Sequence, residues 1–476
     1  MATWGSHGGV DRISSLPDHL LHTILLHLSD AEAAARTTIL SRRWRRVWAH
    51  LPELSFRYHR DAGARTWAHR RVDAALAAYP GPTVTLLDID LPLWAPAPRE
   101  HPVDPDRDDP LLRFLASQRV AGELRLLLRD RGWGDVVLPP CERVTAISLS
   151  VIALTLRFQP LPDGGTFAAL AILRITSARV DSRELGDVLS SRCPRLKELY
   201  LKRVGLMKDR DRVLSIRSNS LERLEMDMKV YHGARLQVIA PKLRVFVSPR
   251  IFSDAPIVAP MLLEMCWDGP YDPSRRHLGE AGRHLQRLDI AKNTTPAATM
   301  LMRQFYAVHE LQLTVQIWKG NQEYNRYLTL INSLPKCEVL VVGFVVTQHA
   351  IKPVMLQFLN RCVGVKKIVV RCLVYHTNKC QCKTWECQCD GSKQSHKIDS
   401  TALDSLELVE IKENMEAYHK VEFVKLLCEY SANFQKRMNI TITENRYSEY
   451  IREKICNIHV PNDKVVINVR SRRAGT

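Results

Sequence analysis

Between residues 11 and 51 the apolar positions fall into three short helical stripes. Leu20, Leu21, Ile24, Leu25 and Leu28 recur at i, i+1, i+4, i+5 and i+8, with His19, His22, Thr23 and His27 largely off the stripe. Ser14 or Ser15 is placed to cap this helix, and Pro17 sits in its first turn, where a missing N–H costs nothing. Ser29 followed by Glu32 has capping-box spacing and opens a second, Ala-rich helix. Ser41 is placed to cap a third, in which Trp44, Val47, Trp48 and Leu51 fall at i, i+3, i+4 and i+7 until Pro52 ends the pattern. Units below about 40 residues rarely stabilise themselves. These helices therefore need a partner: the rest of the chain, another protein, or both. Two Trp four residues apart suit an interface anchor. A helical subdomain buried on its own chain fits the same stripe.

After Pro52 the residues 53–80 read as a connecting segment, with Trp67, Val72, Leu76 and Tyr79 marking one more helix. The period then changes to that of strands. Residues 83–89 (TVTLLDI), bounded by Pro80-Gly81-Pro82 and Pro92, read as a strand, as do 123–128 and 144–149; residues 111–119 read as a helix. Six prolines among charges over 92–110 predict a loop.

From about residue 154 one pattern returns: apolar, two of any type, apolar, one of any type, apolar. Leu170-Leu173-Ile175, Leu196-Leu199-Leu201, Leu221-Leu224-Met226 and Leu285-Leu288-Ile290 fit it. Val308-Leu311-Leu313, Cys337-Leu340-Val342, Val365-Ile368-Val370 and Leu406-Val409-Ile411 continue it, and Leu243-Val245-Val247 is placed as a further unit in the gap after 221. The spacing and the L-x-x-L-x-L form are those of leucine-rich repeats, in which each short strand and return segment hides its apolar face only when a neighbour stacks on it. Residues 182–189, ending near Cys193-Pro194, fit one return helix. A mixed α/β domain with short strands is the competing reading. The step from 365 to 406 is longer than its predecessors and implies an insertion, expected over 376–396.

That insertion holds Cys380, Cys382, Cys387 and Cys389 between His376 and His396. Four thiolates in ten residues are candidate zinc ligands, although one residue between paired cysteines is cramped for chelation. A reduced surface loop or redox chemistry are the alternatives. The other cysteines are scattered beside apolar residues, as expected for reduced core thiols.

Composition adds bounds. The chain has 476 residues, 45% of them hydrophobic and 25% charged, which suits several globular domains or a repeat array. No apolar run reaches the roughly 18 residues of a membrane span; the longest, Val339 to Val346, is broken by Gly343. The N-terminal MATWGSHGGV lacks a charged n-region and an apolar h-region, so no secretory signal is expected. A net charge of +17 invites a nucleic-acid reading. Much of it is scattered Arg, however, and no stacking motif, zinc-finger spacing or helix-turn-helix signature supports a dedicated module. No P-loop, dinucleotide glycine fingerprint, G-x-S-x-G elbow or H-E-x-x-H helix occurs, so no catalytic residue and no cofactor are expected.

The first stretch resembles an F-box in the form common in plants. The matching residues are Asp11-Arg12-Ile13, Leu16-Pro17-Asp18, Leu20-Leu21, Ile24-Leu25, Arg36-Thr37, Leu40-Ser41-Arg42-Arg43-Trp44-Arg45 and Val47-Trp48; Ser29-Asp30 departs from it, where the family usually has a Pro. The resemblance implies docking onto a Skp-type adaptor of a cullin–RING ubiquitin ligase, with Leu16, Pro17, Leu20, Ile24, Leu28, Leu40, Trp44 and Trp48 as the adaptor-binding positions. The LELVEI strand, the helix after it and the MNITIT strand resemble the FBD domain that closes many plant F-box proteins with leucine-rich repeats.

The expected fold is thus an α/β repeat: a three-helix F-box over 10–56, a connecting region with the first solenoid strands over 57–150, an irregular leucine-rich-repeat solenoid over 151–400, and a C-terminal α+β cap over 401–471. The expected function is substrate recognition in an SCF-type E3 ligase, in the nucleus or cytoplasm, with repeats that bind a protein target and no membrane partner. The alternative is a basic repeat scaffold that binds nucleic acid or another acidic partner; a third is a small-molecule receptor.

Overall fold

The computed structural model describes residues 13, 15–27, 36–39, 41–57, 68–91, 110–129, 135–152, 154–159, 165–207, 213–229, 234–248, 255–269, 271–272, 278, 284–291, 295–347, 349, 351–375, 403–412, 417–430, 437–444, 448–458, 460 and 463–471. The proposed second F-box helix after Ser29, the 92–109 loop and the Cys-rich insertion lie outside these residues. So do Leu28, Leu40, Cys380, Cys382, Cys387 and Cys389. Two compact units divide the chain, Met1–Ala240 and Pro241–Thr476.

In the first unit seven strands pair in succession, all parallel: Glu53–Arg57, Val84–Leu91, Val120–Arg129, Ala146–Ile152, Ile172–Thr176, Glu198–Leu206 and Arg223–Lys229. Their register explains the sequence pattern. Leu54, Leu87, Leu124, Ile147, Leu173, Leu199 and Leu224 form one unbroken rung. Phe56, Ile89, Leu126, Leu149, Ile175, Leu201 and Met226 form the next on the same face. All fourteen are buried. At roughly 1.5–3 kcal/mol per buried large aliphatic side chain, these two rungs are the unit's main cohesive element. Side chains between them point the other way, as the two-residue period requires.

The first strand corrects one expectation: residues 53–57, read as part of a connector, are the start of the ladder. The helix expected next is present as Ala68–Ala78, with Val72 and Leu76 buried and Tyr79 buried just beyond it.

Gly122 lies where the Val84–Leu91 and Val120–Arg129 strands slip in register. A Cβ on Gly122 would sit 2.1 Å from the Thr85 carbonyl oxygen, a backbone atom that cannot swing aside. Gly122→Ala should therefore part these strands and cost about 1–3 kcal/mol, seen as a lower unfolding midpoint for this unit. An unchanged midpoint would show that the strands absorb the methyl.

The second unit repeats the scheme. Strands Val245–Ser248, Glu264–Trp267, Arg287–Ile290, Glu310–Ile317, Val339–Val346, Lys367–Tyr375, Leu408–Ile411, Met438–Glu444 and Val465–Ser471 pair in order, all parallel. Phe246, Met265, Leu288, Leu311, Leu340, Ile368, Val409, Ile440 and Ile467 make its long core rung. Helices Thr295–Gln304, Asn321–Ile331 and Ile351–Leu359 alternate with the strands, and Phe358 packs edge-on to Phe344 with ring centres 4.9 Å apart.

A further expectation is corrected here. In the unit placed at Leu243-Val245-Val247 the core residues are Leu243 and Phe246, while Val245 and Val247 lie on the opposite face. A one-residue slip reverses every side chain. The C-terminal segment, expected as an α+β cap, carries the repeat onward. Its three strands continue the parallel ladder, joined by helices Ala417–Tyr430 and Ser448–Cys456.

Cys141, Cys193, Cys337, Cys362 and Cys428 are buried and form no disulfide among the described residues. Burial pushes the Cys141, Cys193 and Cys337 thiols up to about 12 and that of Cys428 to about 11. Iodoacetamide at pH 8 should alkylate exposed Cys456 long before these five, with peptide mass mapping as the readout. Early labelling of Cys193 or Cys337 would contradict the packing.

Candidate protein-docking site

The N-terminal helices split their apolar residues between two directions. The first, Asp18–His27, begins one residue after Pro17, whose carbonyl accepts from the Leu20 and Leu21 amides. A side chain from elsewhere in the sequence also holds this start. Arg43 donates to Asp18 Oδ1 through Nε at 2.9 Å and Nη2 at 2.7 Å, and Nη2 also reaches the Leu16 carbonyl. The Arg43 hydrogen bond holds the Asp18 carboxyl below the usual carboxylate range. The tie therefore persists through that range and is lost only as pH falls below it. Ser41 caps the helix Arg42–Ala49 as expected, accepting from the Trp44 amide. His22 Nε2 lies 2.9 Å from the Val47 carbonyl and closes the two helices on each other.

Leu21 and Leu25 face inward with Trp44, Val47 and Trp48. Leu20 and Ile24, on the adjoining side of the first helix, are each 40% exposed. Leu26 and Ile13 are also exposed, and Ile39 is 82% exposed in the turn Thr37–Ile39. The sequence stripe is thus two stripes, one spent on the chain's own core and one presented to solvent. Large exposed aliphatics gathered on one small subdomain are the mark of a protein-binding surface.

The six described positions of the eight expected to meet the adaptor separate accordingly. Leu20 and Ile24 lie on the open side, Pro17 is exposed and Leu16 half-buried. Trp44 and Trp48 are only 7% and 5% exposed, so they are not free anchors on this surface. Trp48 stacks edge-on against Tyr79 at 5.4 Å, Tyr79 donates to the Leu51 carbonyl at 2.7 Å, and Tyr79 meets Phe114 at 6.3 Å. This aromatic file joins the last of these helices to the end of the helix Ala68–Ala78 and to the helix Pro110–Ala116. Ile13, Leu26 and Ile39 were missed as surface candidates. Ile13 belongs to the motif but to no helical stripe, and Leu26 falls on the side of the helix away from both stripes.

Among the described residues no group of three or more potential metal ligands lies together, and no helix is long and apolar enough to cross a membrane.

Residues 13–56 match the F-box domain. A relative named as an FBD-associated F-box protein of Arabidopsis thaliana is 30% identical over 45% of this chain and 47% of its own length. F-box/LRR-repeat protein 25 of the same plant is 27% identical over 49% of this chain and 83% of its own length. An F-box/FBD/LRR-repeat protein, also from Arabidopsis, is 27% identical over 46% of this chain and 48% of its own length. The chain carries an F-box domain at its N-terminus. Its homologues are Arabidopsis F-box/LRR-repeat and FBD-associated F-box proteins, at modest identity over about half the chain, and the match spans about half the length of most of these relatives.

Proposed function

We propose that this protein is a substrate-recognition subunit of an SCF-type cullin–RING ubiquitin ligase. The exposed side of the F-box helices docks on a Skp-type adaptor, and the parallel repeats, as a curved leucine-rich-repeat solenoid, hold a protein target. The chain itself contributes no bond-making chemistry. It raises the effective concentration of target lysines near the ubiquitin-charged enzyme, in the nucleus or cytoplasm. The observation that carries this reading is the Leu20–Ile24 surface, exposed on an F-box whose other apolar side is already satisfied by its own chain. Co-elution tests it. The full chain should emerge from size exclusion as a 1:1 complex with a Skp-type adaptor, and Ile24→Asp should emerge alone. Equal co-elution of the two would remove the assigned surface.

A further inference from the structure

In the first unit, three adjacent strands bring six polar side chains into a two-by-three block on the face opposite the core rungs. Ser148, Arg174 and Tyr200 are register partners on one row, and Ser150, Thr176 and Lys202 on the row two residues on. Leu149, Ile175 and Leu201, lying between the rows in sequence, are buried on the other face. The block measures roughly 10 Å by 7 Å from strand spacing and rise.

Every one of the six ends in a hydrogen-bond donor, and none is a carboxylate. Both cations converge on one ring: the Arg174 guanidinium carbon is 4.8 Å and Lys202 Nζ 5.9 Å from the Tyr200 centroid. They are little neutralised. Arg174 meets Glu198 only at 3.8 Å, and Lys202 has no ion pair among the described residues. Ser148, Ser150 and Thr176 spend their hydroxyls on no described group. Elsewhere on this sheet the charges are already matched: Glu123 grips Arg125 with both oxygens, and Glu225 holds Arg223 at 2.8 Å.

We propose that this block is a phosphate-monoester site that receives a phosphorylated serine or threonine of the target; it rests on the target-binding reading above. A phosphomonoester brings close to two negative charges and three acceptor oxygens, which matches two under-paired cations ringed by hydroxyl donors. A carboxylate would use half of them. An extended polyanion such as a nucleic acid fits poorly, because the neighbouring register partners Glu225 and Asp227 are acidic. Two opposing charges border the block: Glu198, whose carboxylate accepts from Tyr200 Oη at 2.9 Å, and Asp227, the register partner of Lys202.

The test uses the full-length protein and two immobilised peptide libraries, one with a fixed central phosphoserine and one with serine there, random elsewhere. The phosphoserine library should be retained at least about tenfold better, and Arg174→Ala and Lys202→Ala should each remove about that factor. Glu198→Gln should tighten binding, a change no structural defect would produce. Arg326→Ala, an equal charge change in the second unit, should leave it unaltered. Melting curves of the variants check their folding. Equal retention of both libraries, or none of either, overturns the proposal. Free inorganic phosphate binding as tightly as the phosphopeptides would assign the block to small phosphates instead, and overturn the target side chain as its ligand. The adaptor measurement does not involve this face, so it decides the broader reading separately.

Discussion

Trp48→Ala should lower the unfolding midpoint of the first unit by a margin equivalent to about 2 kcal/mol, and at most about 4. Removing a buried Trp ring costs about 3–5 kcal/mol in transfer and cavity terms. Trp48 is 5% exposed and packs on Tyr79, so no solvent-facing slack softens that loss. One feature works in the opposite direction. Trp48 Nε1 is buried with no hydrogen-bond partner among the described residues, and deleting an orphaned donor returns roughly 1–3 kcal/mol. Trp48→Phe separates the two effects. It keeps most of the ring and removes the N–H, and should fall within about 1 kcal/mol of the parent. Denaturant titration followed by fluorescence reads both. An unchanged midpoint for Trp48→Ala would show that this helix does not pack on Tyr79 and its neighbours. The variant bears on function as well. Adaptor binding lost with Trp48→Ala but kept with Trp48→Phe would be a folding effect, not a lost contact.

The apolar periods of the chain went far toward the fold. The pattern seen in Leu173-x-Ile175 and Leu199-x-Leu201 is the register of the sheet itself, since each pair lands on the same two rungs. It broke down where residue type concealed the repeat. Leu54 and Phe56 carry the same spacing, but they follow Pro52 and the helical stripe, and read as a linker. At residues 243–247 three apolar residues at alternate positions offered a register one residue off, and only pairing with Glu264–Trp267 resolves it. The F-box helices show the same limit from another side. Helical period places Leu20, Leu21, Ile24, Leu25, Trp44 and Trp48 on apolar faces, but it cannot say which face meets the chain and which meets a partner. That division depends on Tyr79 and Phe114, distant in sequence. The Ser148–Arg174–Tyr200 row was not legible at all, because cross-strand alignment depends on loop lengths and not on any local motif.

The second large effect is on adaptor affinity. Leu20 is 40% exposed and belongs to the outward stripe, so an aspartate there stays hydrated in the free protein and should fold normally. In a docked complex the same carboxylate would be desolvated without a partner, which costs several kcal/mol, at least about a hundredfold in affinity. Leu21→Asp is its counterpart on the inward stripe and should fail by unfolding, since Leu21 is buried.

The most direct test of the account is a calorimetric titration of a purified Skp-type adaptor into the full-length chain and into its Leu20→Asp variant, with circular dichroism on both. Saturable one-to-one binding by the parent and a loss of at least about a hundredfold in a folded Leu20→Asp variant is the predicted result. A folded parent that does not bind, or a variant that binds as well as the parent, would contradict the assignment of this surface and the ligase role built on it.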